Sequence, residues 1–399
     1  MSRAYTAAVD TCTLSARGLS RVQAGHPWIF AVDVAKAPAS EADVVLVADP
    51  RGRVVGTALY GGPRAPLALR MLARGPTPVA LDRALLAERL AAALARRAVS
   101  FGARDAYRVV HGEADALPGL FVDRYGDALV LQSATRAMDV REELIADVLL
   151  EVVPGARRVA VRDDSSVRDL EGLARRTGML RGAAQGSRAT YHEGLTEIEV
   201  DLLEDGKTGG YLDQVDNHVR AGELAQGEAL DCFSYHGGFA LALARRASHV
   251  IACDQNPAAV ERARANAARN RLSNLECVAD NAFDLLRRFD GEDGRGFDTI
   301  VIDPPAFAKR KGAIEAAERA YLELNLRALR LLRPGGLLVS CSCSAKMTPD
   351  RFGAMLERAA RDARRQVQVL ERRGAGADHP GLLGVPETEY LKCWLLRVL

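Results

Sequence analysis

Lysine is scarce in this sequence. Of 54 basic residues only six are lysine, and the other 48 are arginine. Coding bias can produce such a skew without any function, although guanidinium forks also suit phosphate and base recognition. A formal net charge of +2 argues against nonspecific coating of a long polyanion, yet it permits a local basic patch. Cysteine is sparse as well. Seven scattered cysteines, an odd number, fit reduced thiols and not a disulfide framework. No apolar stretch reaches the roughly 18 residues of a membrane span. Arg3, Asp10, Arg17 and Arg21 interrupt the start of the chain, so it has no signal-peptide core. A cytoplasmic protein without a membrane partner is expected. At 399 residues, 48% hydrophobic and 27% charged, the composition is that of a soluble globular protein with two or three domains.

Residues 1–75 read as a small β-rich unit. GHPWIF (25–30), DVVLVADPRGRVVGTALYG (43–61) and APLALRML (65–72) are short β-type runs punctuated by Gly and Pro. GPTPVALD (75–82) leads into a helix expected over 81–99, where apolar residues recur at helical spacing. YRVVHGEADALPGLFVDRYGDALVLQSA (107–134) reads as a β-meander with turns at LPG and YGD. A helix near 137–152 and a strand at 157–164 follow, and 166–190 reads as irregular. From about 200 the rhythm changes to alternating strand and helix. That pattern predicts an α/β domain with a parallel sheet covered on both faces. QVQVLERR and YLKCWLLRVL, after the last helix, fit an antiparallel edge.

Four successive strands of this second half end in residues suited to a ligand. LDCFSYHGGFALALA (230–244) places Asp231 at a strand end and Gly237 and Gly238 at the opening of a helix. Small residues there let backbone approach a ligand at the carboxyl edge of a parallel sheet. The spacing is not that of the dinucleotide G-x-G-x-x-G. HVIACD ends in Asp254, placed where an acid commonly holds ribose hydroxyls. The next strand ends in Asp280 and Asn281, suited to an adenine edge, and the fourth in DPPAF, Asp303 to Phe307. Any one of these acids reads equally well as a turn residue; four along one sheet edge outline a pocket for a nucleoside-bearing cofactor and a substrate beside Asp303.

The strand GGLLVSCSCSAKM (335–347) comes one helix later and carries Cys341 and Cys343. Sequential strands of such sheets are usually neighbours, so one of these thiols should lie near Asp303. Strand parity points both to one face if the strand persists that far. Cys343, nearer the carboxyl end, is the better candidate for a reactive thiol, and Cys341 for packing. From the residues alone, a buried structural Cys343 is the simpler reading. Two ligands in C-x-C, with no second Cys/His pair at useful spacing, do not make a metal site.

Together these residues resemble the ribosomal RNA large subunit methyltransferase I family, S-adenosylmethionine-dependent enzymes that make 5-methylcytosine in 23S rRNA. The resemblance runs through GHPWIF, GEADALPGLFVDRYG (112–126), GKTGGYLDQ (206–214), LDCFSYHGGFA, DPPAFAK, SCS (342–344) and DHP…PETEYLK (378–392). It implies a PUA domain over residues 1–75, an α+β connecting domain over 76–199 and a class I, Rossmann-like methyltransferase domain over 200–399. By the same resemblance, Asp231, Phe233, Tyr235, Gly237 and Gly238 match the first cofactor motif, and Asp254 the ribose acid. Asp280 and Asn281 match the adenine-side motif. Tyr211, Asp213 and Gln214 match a segment closing over the cofactor, and Asp303 to Phe307 the substrate-side motif, whose Asp303 and Pro304 also border the cofactor. Cys343 matches the presumed nucleophile.

The implied reaction consumes S-adenosylmethionine and leaves S-adenosylhomocysteine. Carbon 5 of cytosine is a poor nucleophile until a thiolate adds at carbon 6, which is covalent catalysis by an activated cysteine. Asp303 would then bond the cytosine amino group or N3. Glu389, Glu387 and His379 are candidates for the final base, each reading equally well as a surface or turn residue. Ala306 stands where other RNA cytosine methyltransferases carry a second cysteine, so release by that route is not supported. The implied partner is 23S rRNA or a large-subunit precursor, and a homodimer is compatible with this. Two other readings stay open: a methyltransferase acting on a base nitrogen such as guanine N7, which needs no thiol, and a noncatalytic RNA-binding assembly factor.

Overall fold

A computed structural model describes residues 10–40, 42–102, 104–183, 186–291, 295–307 and 314–399. The chain divides into two compact units. One holds everything up to Thr190 together with Val200–Gly210 and Ala377–Val385. The other holds Tyr191–Glu199, Tyr211–Gly376 and Pro386–Leu399.

The first unit opens with β1 (Thr11–Leu14), α1 (Ala16–Gln23), β2 (Trp28–Phe30), β3 (Val34–Lys36), β4 (Val44–Ala48), β5 (Val54–Tyr60) and β6 (Leu67–Arg74). They form a six-stranded sheet in the order β2-β6-β5-β4-β1-β3, closed over Cys12, Leu14, Ile29, Val45, Val47 and Leu69. At the PRG turn between β4 and β5, the Asp49 carboxylate accepts from the Arg51 and Arg53 amides at 2.8 and 2.9 Å, the usual reason for Asp at a turn. A second layer follows: α2 (Arg83–Phe101), β7 (Ala106–His111), β8 (Leu120–Tyr125), β9 (Ala128–Ser133), α3 (Arg136–Asp139), α4 (Glu142–Val152), β10 (Arg158–Asp163) and β11 (Arg176–Arg181). Its sheet order is β11-β10-β9-β8-β7, and Leu86 and Leu90 of α2 and Ile145 and Leu149 of α4 supply its core. The helix expected near 137–152 is two helices, and the stretch 166–190 expected to be irregular contains β11 and the start of β12 (Arg188–Glu193). β12 pairs with β13 (Thr196–Asp201).

The second unit holds α5 (Val215–Leu224), β14 (Glu228–Cys232), α6 (Gly238–Leu243), β15 (His249–Asp254), α7 (Pro257–Arg269), β16 (Leu275–Ala279), α8 (Ala282–Asp290), β17 (Phe297–Ile302), α9 (Ile314–Leu331), β18 (Leu332–Ser342), α10 (Pro349–Asp362), β19 (Val367–Arg373) and β20 (Lys392–Val398). The sheet order is β16-β15-β14-β17-β18-β20-β19. Five strands are parallel, and β20 runs antiparallel to both β18 and β19, the arrangement expected for the two terminal runs. One face packs on α5, α6 and α7 through Ala221, Phe239, Leu243 and Val260. The other packs on α8, α9 and α10 through Leu286, Tyr321, Leu324 and Phe352. Helix starts are written locally. Asn256 caps α7 and Thr348 caps α10, each just before a proline, and such caps contribute about 1 kcal/mol apiece. No helix among the described residues is long and apolar enough to cross a membrane.

Candidate functional site

From β14 the chain winds outward to β15 and β16 and then returns to β17 on the other side of β14. The carboxyl ends of β14 and β17, with Cys232 opposite Ile302, therefore flank the reversal of strand order, where open α/β sheets place their ligands. After β14 the backbone makes a tight loop in which Phe233 and Tyr235 have φ of 67° and 49° and Gly237 has φ of 91°. Left-handed backbone costs a non-glycine residue roughly 1–2 kcal/mol, so the loop must be held from outside. The Ser234 amide donates to the Cys253 carbonyl, and the Tyr235 amide donates to Asp254 Oδ2, both at 2.9 Å. Gly238 is fixed by proximity: a Cβ there would lie 2.4 Å from His218 Cε1.

Two oxygens beside this loop are buried and have no hydrogen-bond partner among the described residues: Asp231 Oδ1 and Ser234 Oγ. The other Asp231 oxygen accepts from the Ala240 amide at 2.9 Å. Burial, reinforced by Asp303, pushes the Asp231 carboxyl up to about 8. Unsatisfied buried polar atoms are uncommon in native structures and call for an explanation. Beside a glycine-opened backbone they fit a polar, nucleoside-bearing ligand.

Asp254 is committed on both oxygens, to the Tyr235 amide and, at 2.9 Å, to the Asn256 amide, so it shapes the loop and retains only lone pairs for a ribose. Asp280 accepts from its neighbour Asn281 and pairs with Arg288, both at 2.7 Å. The Arg288 hydrogen bond holds it below the ordinary carboxylate range. Asn281 caps α8 through its side-chain oxygen, 2.9 Å from the Phe283 amide.

Asp303 follows β17, with Pro304 buried behind it. Gln214 Nε2 donates to Asp303 Oδ2 at 3.0 Å, while Gln214 Oε1 accepts from Asn217 at 2.7 Å. Asp213 accepts from the Tyr390 hydroxyl at 2.6 Å. Tyr211 stands edge-on to Tyr235 with ring centroids 5.1 Å apart, and burial together with Asp303 and Cys343 pushes its hydroxyl up to about 12. Tyr211, Asp213, Gln214, Asp231, Tyr235, Asp303 and Cys343 are thus joined by direct bonds, ring contact or short-range electrostatics. Phe307 packs on Tyr321 at 5.1 Å; Ala308 and Lys309 of the DPPAFAK run lie outside the described residues.

The two thiols separate. β18 ends at Ser342, so strand parity does not carry to Cys343. Cys341 is fully buried opposite Cys393 and packed among Val339 and Leu395, and burial holds its thiol well above the ordinary value. Cys343 lies just past the strand and is partly exposed. It acts electrostatically on Tyr211 and Tyr321, as does Asp303. Of the three candidate bases, Glu387 and Glu389 are exposed. His379 is buried against His111, with ring centroids 5.3 Å apart.

Sequence reasoning singled out neither Tyr390 nor Lys392 individually, although both lie inside the quoted PETEYLK run. Tyr390 reaches Asp213, and Lys392 Nζ donates to the Ser344 carbonyl beside Cys343 at 2.6 Å. Their signal was their position at the entry to the last strand, which pairs beside the cysteine strand.

Residues 225–373 match the methyltransferase-domain family and residues 13–74 the PUA-like-domain family. The ribosomal RNA large subunit methyltransferase I of Aliivibrio fischeri is 36% identical over 383 residues, covering 94% of this chain and 96% of the relative. That of Tolumonas auensis is 37% identical over the same shares. A Streptococcus mutans structure described as a SAM-dependent methyltransferase superposes with a TM-score of 0.81 at 19% identity, over 97% of this chain and 100% of the other. These structural likenesses bear on the fold.

Proposed function

The chain belongs to the ribosomal RNA large subunit methyltransferase I family, and from that premise we propose that it methylates carbon 5 of a cytosine in 23S rRNA, through a transient bond between Cys343 and the base. In this reading residues 1–75 are the PUA-like RNA-binding domain, 76–199 a connecting domain and 200–399 the methyltransferase domain. S-adenosylmethionine supplies an electrophilic methyl group when bound. The loop from Asp231 to Gly238, with Asp254, Asp280 and Asn281, would hold its nucleoside portion, the unpartnered oxygens of Asp231 and Ser234 finding their partners there. Tyr211, Asp213, Gln214 and Pro304 would close the site on the side of Asp303.

The chain's own groups then divide the chemistry. The Cys343 thiolate adds to carbon 6 of the pyrimidine, giving carbon 5 enamine character. Asp303, oriented by Gln214, bonds the amino group or protonated N3 and stabilises charge moved into the ring. Once carbon 5 is methylated, a base takes its proton, the 5,6 double bond re-forms and the thiolate leaves.

One observation carries the reading. Of two cysteines one residue apart, Cys341 is packed in the core, whereas Cys343 is partly exposed and within electrostatic reach of the tyrosines that also feel Asp303. The test is an rRNA fragment carrying 5-fluorocytosine, whose carbon 5 has no proton to lose. Incubated with S-adenosylmethionine, it should form a denaturation-stable adduct on the Cys343 peptide. A methylated RNA product with no such adduct would defeat the covalent route.

A further inference from the structure

Lys392 is a buried cation in an unusual position. It opens β20 directly opposite Ser342 and is 3% exposed. Nζ donates to two main-chain carbonyls, Ser344 at 2.6 Å and Tyr390 at 2.7 Å. Among the described residues it makes no ion pair with a carboxylate, although arginines throughout the protein do. Burying an ammonium without a counter-charge is costly, and such a group ordinarily finds a partner or loses its proton. Burial pulls Lys392 down to about 8, and among the described residues Cys343 acts against that pull.

Carbonyl acceptors alone do not call for a charge. An amide or hydroxyl donor could tie Ser344 to Tyr390 without burying an ammonium. Among the described residues that interact with Cys343, Tyr211 and Tyr321 are held neutral by burial and Asp303 carries the same sign as a thiolate. We propose that Lys392 is the counter-charge of Cys343, a positioning residue that holds the sulfur as thiolate while fixing the Ser342–Ser344 turn through the Ser344 carbonyl. The inference rests on the covalent reading above, yet it concerns the state of the sulfur before any RNA binds. A neighbouring opposite charge lowers a thiol's pKa by about one unit or more, and the thiolate is the species that alkylating reagents trap.

The experiment measures iodoacetamide alkylation of the Cys343 peptide by mass spectrometry, in the folded full-length protein, as a function of pH and without RNA. Wild type should show an inflection well below the ordinary thiol value of roughly 8.5. Lys392→Met should move it upward and cut the rate at neutral pH by about ten-fold; Lys392→Arg should keep most of the wild-type profile. A wild-type inflection at or above the ordinary thiol value overturns the proposal without any variant. So does an unchanged profile in a folded Lys392→Met protein. Because the readout needs no methyl transfer, a normal Lys392 effect with no fluorocytosine adduct would sink the covalent reading alone.

Discussion

Asp231 offers a quantitative check on the electrostatics of the cofactor loop. Its carboxyl rises from an ordinary 3.8 to about 8, burial being the main cause and Asp303 the next. Between those values the unfolded chain has released this proton and the folded chain has kept it. The unfolded state then binds fewer protons, so stability falls as pH rises, by about 1.4 kcal/mol per pH unit for one such group. The loss begins just above pH 4 and is complete near pH 8, for a total on the order of 5 kcal/mol. Asp231→Asn keeps the shape and leaves an amide oxygen for the Ala240 N–H, but cannot ionise. Urea titrations followed by circular dichroism at several pH values, on both proteins without cofactor, should show the variant gaining on wild type by at least about 2 kcal/mol between pH 5 and 8. Glu142, also raised to about 8, is present in both proteins and cancels from the difference. Two stability curves running parallel across that range would refute the assignment of a buried, proton-retaining Asp231.

The two cysteines should part company on mutation. Cys343→Ala should abolish methyl transfer from tritiated S-adenosylmethionine while calorimetry still records cofactor binding; Cys341→Ala should stay active but lose stability, since only Cys341 sits in packed core. Activity in the first variant, or its complete loss in a folded second one, would reverse the assignment. Gly238→Ala should cost about 1–3 kcal/mol through overpacking, because His218 is pinned by Glu193 at 2.6 Å and by Phe239 at 4.4 Å and cannot retreat from a Cβ. A thermal midpoint equal to wild type would show that the imidazole yields.

The second unit was legible because of how its strands are buried. Parallel strands covered on both faces read as continuous apolar runs; HVIACD and FDTIVI are such runs, and each lies where its pattern placed it. The parts that escaped lack that signature. β11, RTGMLR, is exposed or half-buried throughout and is held by backbone pairing to β10. β12, RATYHE, does alternate, but its buried positions include Ala189 and Glu193, and a glutamate facing inward to meet His218 breaks the apolar rule. α5 begins after a Gly-rich stretch and carries His218 and Asn217 on its buried side, so its inward face looks polar in sequence.

The same distinction governs the site. The aspartates could be found because strand ends are marked by sequence, and a strand's carboxyl end in a parallel sheet is already a place. Resemblance alone placed Gln214 in the segment over the cofactor, and nothing in the sequence assigned Lys392 a role, because their contacts depend on partners far along the chain. Gln214 meets Asp303 across 89 residues, and Lys392 meets Ser344 across 48. A lysine at the mouth of an apolar strand reads as a solvated end; it is buried here only because β20 inserts between β18 and β19 and does not end the sheet. Had the last strand paired at the edge, the same residue would face water, its charge would be screened, and it would exert little pull on Cys343. The order of the last three strands is therefore what turns an ordinary lysine into a counter-charge for the thiol.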